Sequence, residues 1–311
     1  MPPARSPSGS AFAGAGTTFV LLATLGFAAA STLTTLAIAE QLSLYNVLTW
    51  RYVLGSVVMV TYVGSRSHRR MPWPVAARFM LVGGGGQALF VGMALSSLQY
   101  VSVATLAFLF FTYPSWMTLV QAVRGVEPIT ARRVGGLLLS FGGIVVMVAG
   151  PTFAANGGSS TFALDGPALH GAALALGAAV IYGLYIPLMG WMQQSHAVSV
   201  TRAYGTIGAA ICFLMLAASN RSFTTAMSPT AWGAILALTL FSTVLPSLFF
   251  LMGLIRLGPV RTASLSTVEP LLTALLGAVV LHQPLTAPVI GGGALIVAAS
   301  VVLQFRRERV A

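Results

Sequence analysis

AFLFFTYPSWMTLVQAVRGVEPITARRVGGLLLSFGGIVV, residues Ala107–Val146, is answered without a gap by ASLSTVEPLLTALLGAVVLHQPLTAPVIGGGALIVAASVV, residues Ala263–Val302. Fourteen of the forty positions are identical. Pro114 falls on Pro270, and Gly135-Gly136 on Gly291-Gly292. The run Glu127-Pro128-Ile129-Thr130-Ala131 falls on Gln283-Pro284-Leu285-Thr286-Ala287. A shared richness in Leu, Val and Ala gives scattered matches, but not two prolines and a glycine pair in one register. Each copy reads as an apolar helix with a proline inside it, a short polar turn, and a Gly-rich apolar helix. A fixed internal repeat of this kind sets the architecture. A second match extends it. Shifted by 151 residues, Leu25-Gly26 falls on Leu176-Gly177, Ala28 on Ala179, Leu33 on Leu184 and Arg51 on Arg202. That partner argues against reading Ala28-Ala29-Ala30 as a cleaved signal.

Composition says where these helices lie. The chain has 311 residues, 57% hydrophobic and 7% charged, against roughly 25% charged in soluble domains. A soluble core cannot absorb so much apolar surface, so the excess faces lipid. Runs long enough to cross a bilayer recur throughout. The net charge of +11 comes entirely from arginine, held in small groups between apolar runs. That is an orientation signal rather than a nucleic-acid face. The lone Cys212 forms no internal disulfide and reads as a buried thiol.

The expected fold is an all-α membrane protein of ten transmembrane helices in two inverted five-helix repeats. Residues 1–12 read as a disordered N-terminus, 13–150 as the first repeat and 151–167 as an extracytoplasmic linker. Residues 168–305 read as the second repeat and 306–311 as a tail. Five helices per half force the second half into the membrane from the opposite side. With both termini in the cytoplasm, fourteen arginines fall inside and only Arg51 and Arg221 outside, which favours that orientation.

Enzyme signatures are missing: there is no His-Glu-x-x-His, no Gly-x-Ser-x-Gly and no Cys/His cluster, so no catalysis, metal or cofactor is expected. Gly83–Gly86 lacks the Lys-Ser/Thr of a phosphate loop and reads as close helix packing or a flexible point. Glu269 is the one carboxylate well inside an apolar run. An ionisable group at that depth is costly and normally faces a cavity or a partner. It precedes Pro270, which frees a carbonyl one turn back and opens the helix. Its repeat mate is Tyr113, before Pro114. A cavity carboxylate, a proton carrier and a structural carboxylate paired to Arg or hydroxyl groups all remain open. Arg51 and Arg202 read more readily as interfacial side chains, Arg51 beside Glu40, than as contacts to a substrate carboxylate. Tyr182 and Tyr185 share a helix face just before Pro187. Pro114, Pro187, Pro246 and Pro270 are the candidate break or gating positions.

With these features the chain resembles the EamA family of the drug/metabolite transporter superfamily. The resemblance rests on the two five-helix repeats and on Ala107-x-Leu109-x4-Pro114-x12-Glu127-Pro128, echoed by Ala263-x-Leu265-x4-Pro270-x12-Gln283-Pro284. Arg51 and Arg202 fit as well, whereas Gln283 departs from the usual Glu. The resemblance implies secondary export of small metabolites, such as amino acids or drug-like compounds, by alternating access across a bacterial inner membrane. It implies a cavity between helices one, three, four, six, eight and nine. Mapped here, that brings Ser31, Gln87, Tyr113, Tyr182, Tyr185, Ser247 and Glu269 into the substrate cavity. The expected partners are a small molecule, amino acids and aromatic metabolites among the candidates, and the lipid bilayer. The chain is expected as a monomer or weak homodimer. An uncoupled facilitator of the same fold and a non-transporting membrane protein are the alternatives.

Overall fold

The computed structural model describes residues 9–64, 71–125, 130–155 and 166–304. Within them the secondary structure is helical and no strand forms. Eight helices are long and apolar enough to cross a membrane. They are α1 (Gly9–Ala39), α2 (Leu44–Gly64), α3 (Trp73–Gln99), α4 (Val103–Val123), α5 (Ala131–Ala155), α6 (Gly166–Met192), α7 (Val198–Ser219) and α8 (Pro229–Gly258). Two shorter apolar helices follow, α9 (Ser264–Val280) and α10 (Ala287–Gln304). α1 begins within the segment expected to be disordered, and α5 takes up the first residues of the expected linker. α6 takes up its last two residues, while residues 156–165, Glu127-Pro128 and the tail lie outside the described residues.

The distribution of polarity follows from the solvent. Leu81, Val123, Ile255 and Leu138 are each more than two-thirds exposed, which only lipid makes tolerable for so many large apolar side chains. The interior instead holds alanines together with Thr24, Thr34, Asn46, Thr49, Ser97 and Thr112. Most of these hydroxyls donate back into their own helix, Thr24 to the Val20 carbonyl and Thr34 to that of Ala30. Such bonds satisfy a buried hydroxyl where no water reaches it.

The contacts between the halves come in mated pairs. α1 packs on α8 as α6 packs on α3, and α1 meets α9 as α6 meets α4. α2 pairs with α7, α4 with α9, and α5 with α10. Glycines set the closest crossings. A Cβ on Gly84 would lie 2.5 Å from Gly208 Cα, and one on Gly292 would lie 2.6 Å from the Gly143 carbonyl. Within the quadruple glycine, Gly84 is the packing device where α3 backbone meets α7 backbone, and Gly86 makes room for the Tyr185 ring of α6.

Two features escape the sequence pattern. α3 and α8 each carry a π-helical turn, at Phe79–Gly84 and Leu240–Val244. The i→i+5 pattern disrupts the carbonyl ladder locally, and Tyr185 Oη donates to the Gly83 carbonyl at 3.1 Å. The chain turns from α8 into α9 at Gly258, whose φ of 76° suits a residue without Cβ.

Candidate functional site

Both prolines of the repeat mark real breaks. α4 runs as Val103–Phe110 and restarts as Tyr113–Val123. In the second half the helix ends at Ser266 and restarts as Glu269–Val280. Pro114 and Pro270 sit in the first turn of the new helix, where a missing N–H costs nothing. Thr112 Oγ1 donates to the Leu109 carbonyl and Thr267 Oγ1 to that of Ser264, each at 2.7 Å. Ser300 on α10 donates to the Phe111 carbonyl at 3.2 Å. Tyr113 and Glu269 thus each open a second half-helix, and Glu269–Val280 packs against Val103–Phe110, the half-helix before the first break.

A cavity with two lobes lies between the halves. The wide lobe, about 560 Å³, is lined by Tyr113, Tyr182, Arg202, Ser242, Phe250 and Ser266, among others. The narrow lobe, about 150 Å³, is lined by Phe90, Val91, Ala94, Leu95, Leu106 and Phe110, among others. Five residues border both lobes: Phe27, Ala30, Arg51, Phe111 and Glu269. The wide lobe runs toward the helix ends that carry Arg202, Arg256 and Arg261. The narrow one runs toward the opposite ends, where α3 stops and α4 begins.

That arginine-poor end is tied across the halves. Gln283 Oε1 accepts from the Val103 backbone N–H at 2.9 Å. Asn46 Oδ1 accepts from Thr224 N–H at 3.1 Å, and Trp50 Nε1 donates to the Thr224 carbonyl at 3.0 Å. Glu40 accepts from Thr230 Oγ1 at 2.7 Å and from Ser228 Oγ at 3.3 Å.

Glu269, Tyr113, Tyr182 and Ser31 border the cavity, and Pro270 lines the narrow lobe at the helix break. Tyr182 is the hub of an aromatic wall, with ring centroids 4.7 Å from Phe90, 4.8 Å from Tyr113 and 5.2 Å from Phe110. Other expected residues support the cavity without lining it. Gln87 Nε2 donates to Tyr52 Oη at 3.2 Å. Tyr185 serves the π-turn of α3, and Ser247 is buried within α8. Pro114 is buried at the α4 restart. Pro187 sits inside an unbroken α6, and the Pro246 ring packs against Gly26 of α1.

The arginines are placed differently from the interfacial reading. Arg51 is only 8% exposed and borders both lobes. Its Nε donates to Thr243 Oγ1 at 2.9 Å, and its guanidinium carbon lies 5.6 Å from the Tyr52 ring centroid. Glu40 is engaged elsewhere. Arg202 lines the wide lobe, near enough to act electrostatically on Tyr182. The sequence carried a signal for both: they occupy matching repeat positions, on helices α2 and α7 that pack against each other across the halves. Among the described residues, Arg51 and Glu269 form no ion pair with each other or with any third residue.

The arrangement can hold a small solute between charged side chains and aromatic faces. Two strains of Salmonella typhimurium, SL1344 and LT2, have a relative described as the threonine/homoserine exporter RhtA. Each is 28% identical over 267 residues, spanning 83% of this chain and 81% of its own length. A solved structure described only as the crystal structure of a protein is similar at TM-score 0.61 and 20% identity, over 93% of this chain and 96% of that one. That likeness speaks to the fold. The EamA-like transporter family is matched over residues 14–149 and again over 169–305, the two halves that the internal repeat delimits. The chain belongs to the EamA-like transporter family, as a multi-pass membrane protein.

Proposed function

We propose that the protein is a secondary exporter of small amino-acid-like metabolites in a bacterial inner membrane, working by alternating access. In this reading ten helices cross the membrane as two inverted repeats, with both termini in the cytoplasm. One observation carries it. The cavity between the halves is wide toward the arginine-rich end and narrow toward the other, where cross-half hydrogen bonds tie the helix ends together. With arginines on the cytoplasmic side, that is the inward-facing state of an exporter ready to load. It favours a carrier over an uncoupled facilitator, which needs a continuous path. The relatives' export of threonine and homoserine supports the substrate class.

Counterflow tests the transport reading. Proteoliposomes loaded with unlabelled L-amino acids should accumulate the matching labelled amino acid above its outside concentration, and empty vesicles should not. Flux that only ever equilibrates label would establish a facilitator instead. Orientation is tested separately, in a background where Cys212 is replaced by Ser. A cysteine replacing Asn220, at the arginine-poor end of α7, should react with an impermeant thiol reagent in intact cells. One replacing Ser195, in the turn between α6 and α7, should react only after permeabilisation. The reverse pattern overturns the orientation.

A further inference from the structure

The junction of the two lobes holds two opposite charges that have not found each other. Arg51 is more than nine-tenths buried, and its Nε is committed to Thr243. Its two terminal amino groups have no hydrogen-bond partner among the described residues and border the cavity. Glu269 borders the same junction, and no described side chain hydrogen-bonds its carboxylate. Its backbone carbonyl is already taken by Thr273 Oγ1 at 3.0 Å. Buried charges are costly unless paired, so a site that keeps a guanidinium and a carboxylate apart is complementary to a ligand carrying both opposite charges.

The lobes differ in what else they offer. The wide lobe presents Arg202, Ser242, Ser266 and the two tyrosines, all suited to water and to passage. The far part of the narrow lobe presents Phe90, Val91, Ala94, Leu95, Leu106 and Phe110, with no polar side chain among them. The whole narrow lobe, including Ser31, Thr273, Arg51 and Glu269 at its wall, has a volume of about 150 Å³, enough for a group of roughly benzene size. Water gains little in the apolar far part, so an apolar group enters favourably.

We infer that the narrow lobe is the side-chain pocket for an amino acid held as a zwitterion, its carboxylate on Arg51 and its ammonium on Glu269. The pocket selects apolar side chains up to the size of a benzene ring. The inference rests on the export reading above and sharpens it: leucine and phenylalanine are preferred over the smaller, hydroxylated threonine.

The test is ligand binding to the purified full-length protein in detergent, read as a concentration-dependent rise in melting temperature. The probes are L-leucine, L-phenylalanine, L-threonine, isoamylamine (leucine without its carboxylate) and 4-methylpentanoate (leucine without its ammonium). Leucine should bind about ten-fold or more tightly than threonine, since it buries more apolar surface. Each truncated analogue should bind about ten-fold or more weakly than leucine, since it leaves a buried charge unpaired. Ala107→Leu, which fills the narrow lobe, should bring the leucine-to-threonine ratio down to about 1. Arg51→Gln should bring leucine down to the level of isoamylamine, a loss of discrimination that a general loss of stability does not produce. Threonine binding as tightly as leucine, or analogues binding as tightly as leucine, overturns the pocket while leaving amino-acid export standing. Failure of every amino acid to bind overturns the export reading itself.

Discussion

Gly208→Ala is expected to cost the protein most of its folded yield, while Gly205→Ala, one turn away on the same helix, leaves it intact. The two substitutions add the same methyl group to the same buried stretch of α7, and both raise intrinsic helix propensity by up to about 1 kcal/mol. They differ in what the methyl meets. A Cβ on Gly205 finds its nearest neighbour, the Gly83 carbonyl carbon, at 3.8 Å, an ordinary contact. A Cβ on Gly208 runs into the backbone of Met80 at its carbonyl. No side-chain rotation relieves that clash, because the obstacle is main chain inside the π-turn of α3. The helices must separate, and α2 on α7 and α6 on α3 separate with them. Overpacking of this kind costs about 1–3 kcal/mol, and more where backbone must move, a large part of a typical folding free energy. The measurement is the monodisperse fraction and melting temperature in detergent. Equal stability of the two variants would mean that α3 and α7 do not approach as closely as described.

What the sequence made legible and what it hid divide along physical lines. The repeat was legible because prolines and glycines are placed by backbone requirements. Pro114 and Pro270 mark helix restarts, and Gly84 and Gly292 mark close crossings. Hydropathy located the spans, but their ends drifted. α5 runs past the last residue that hydropathy assigns to it, since composition does not say where a helix stops once it leaves the apolar layer. The π-turns had no signature, because they accommodate contacts between distant segments: Tyr185 reaches Gly83 only after α6 has docked on α3. Gln87 and Tyr185 are polar residues on the right helices whose partners are other parts of the fold, and pattern alone does not separate such residues from cavity-lining ones.

Arg51 is the instructive miss. A helix-end arginine beside a loop carboxylate, Glu40, reads as interfacial, and most such residues are. Here Glu40 is held by the hydroxyls of Thr230 and Ser228 at the start of α8, a pairing set by how the halves meet. Arg51 is left to point inward to Thr243. Its match to Arg202 in the repeat was the stronger clue. Residues related by symmetry and carried on α2 and α7, which pack together, are brought toward one central space.

Glu269→Gln is expected to raise the substrate concentration for half-maximal counterflow about ten-fold or more at every pH, without lowering the melting temperature. The carboxylate stands at the first residue of the half-helix Glu269–Val280 and borders both lobes. Its position next to a helix N-terminus stabilises negative charge, and no described side chain shares it. A structural carboxylate would be bonded to its neighbours, and its replacement would cost stability. This one faces the cavity, so the isosteric amide leaves packing unchanged and removes only the charge offered to a ligand cation. A charge-assisted hydrogen bond contributes roughly 1.5–3 kcal/mol, hence the ten-fold or greater loss. Two other outcomes have distinct readings. If gradient-driven accumulation is abolished while one-for-one exchange of substrate persists, Glu269 carries a proton rather than the substrate's ammonium. If melting temperature and transport fall together, the side chain is part of the scaffold at the break before Pro270. Normal affinity, normal stability and normal accumulation together would remove Glu269 from the site, and with it the account of why a carboxylate opens an apolar half-helix at the cavity.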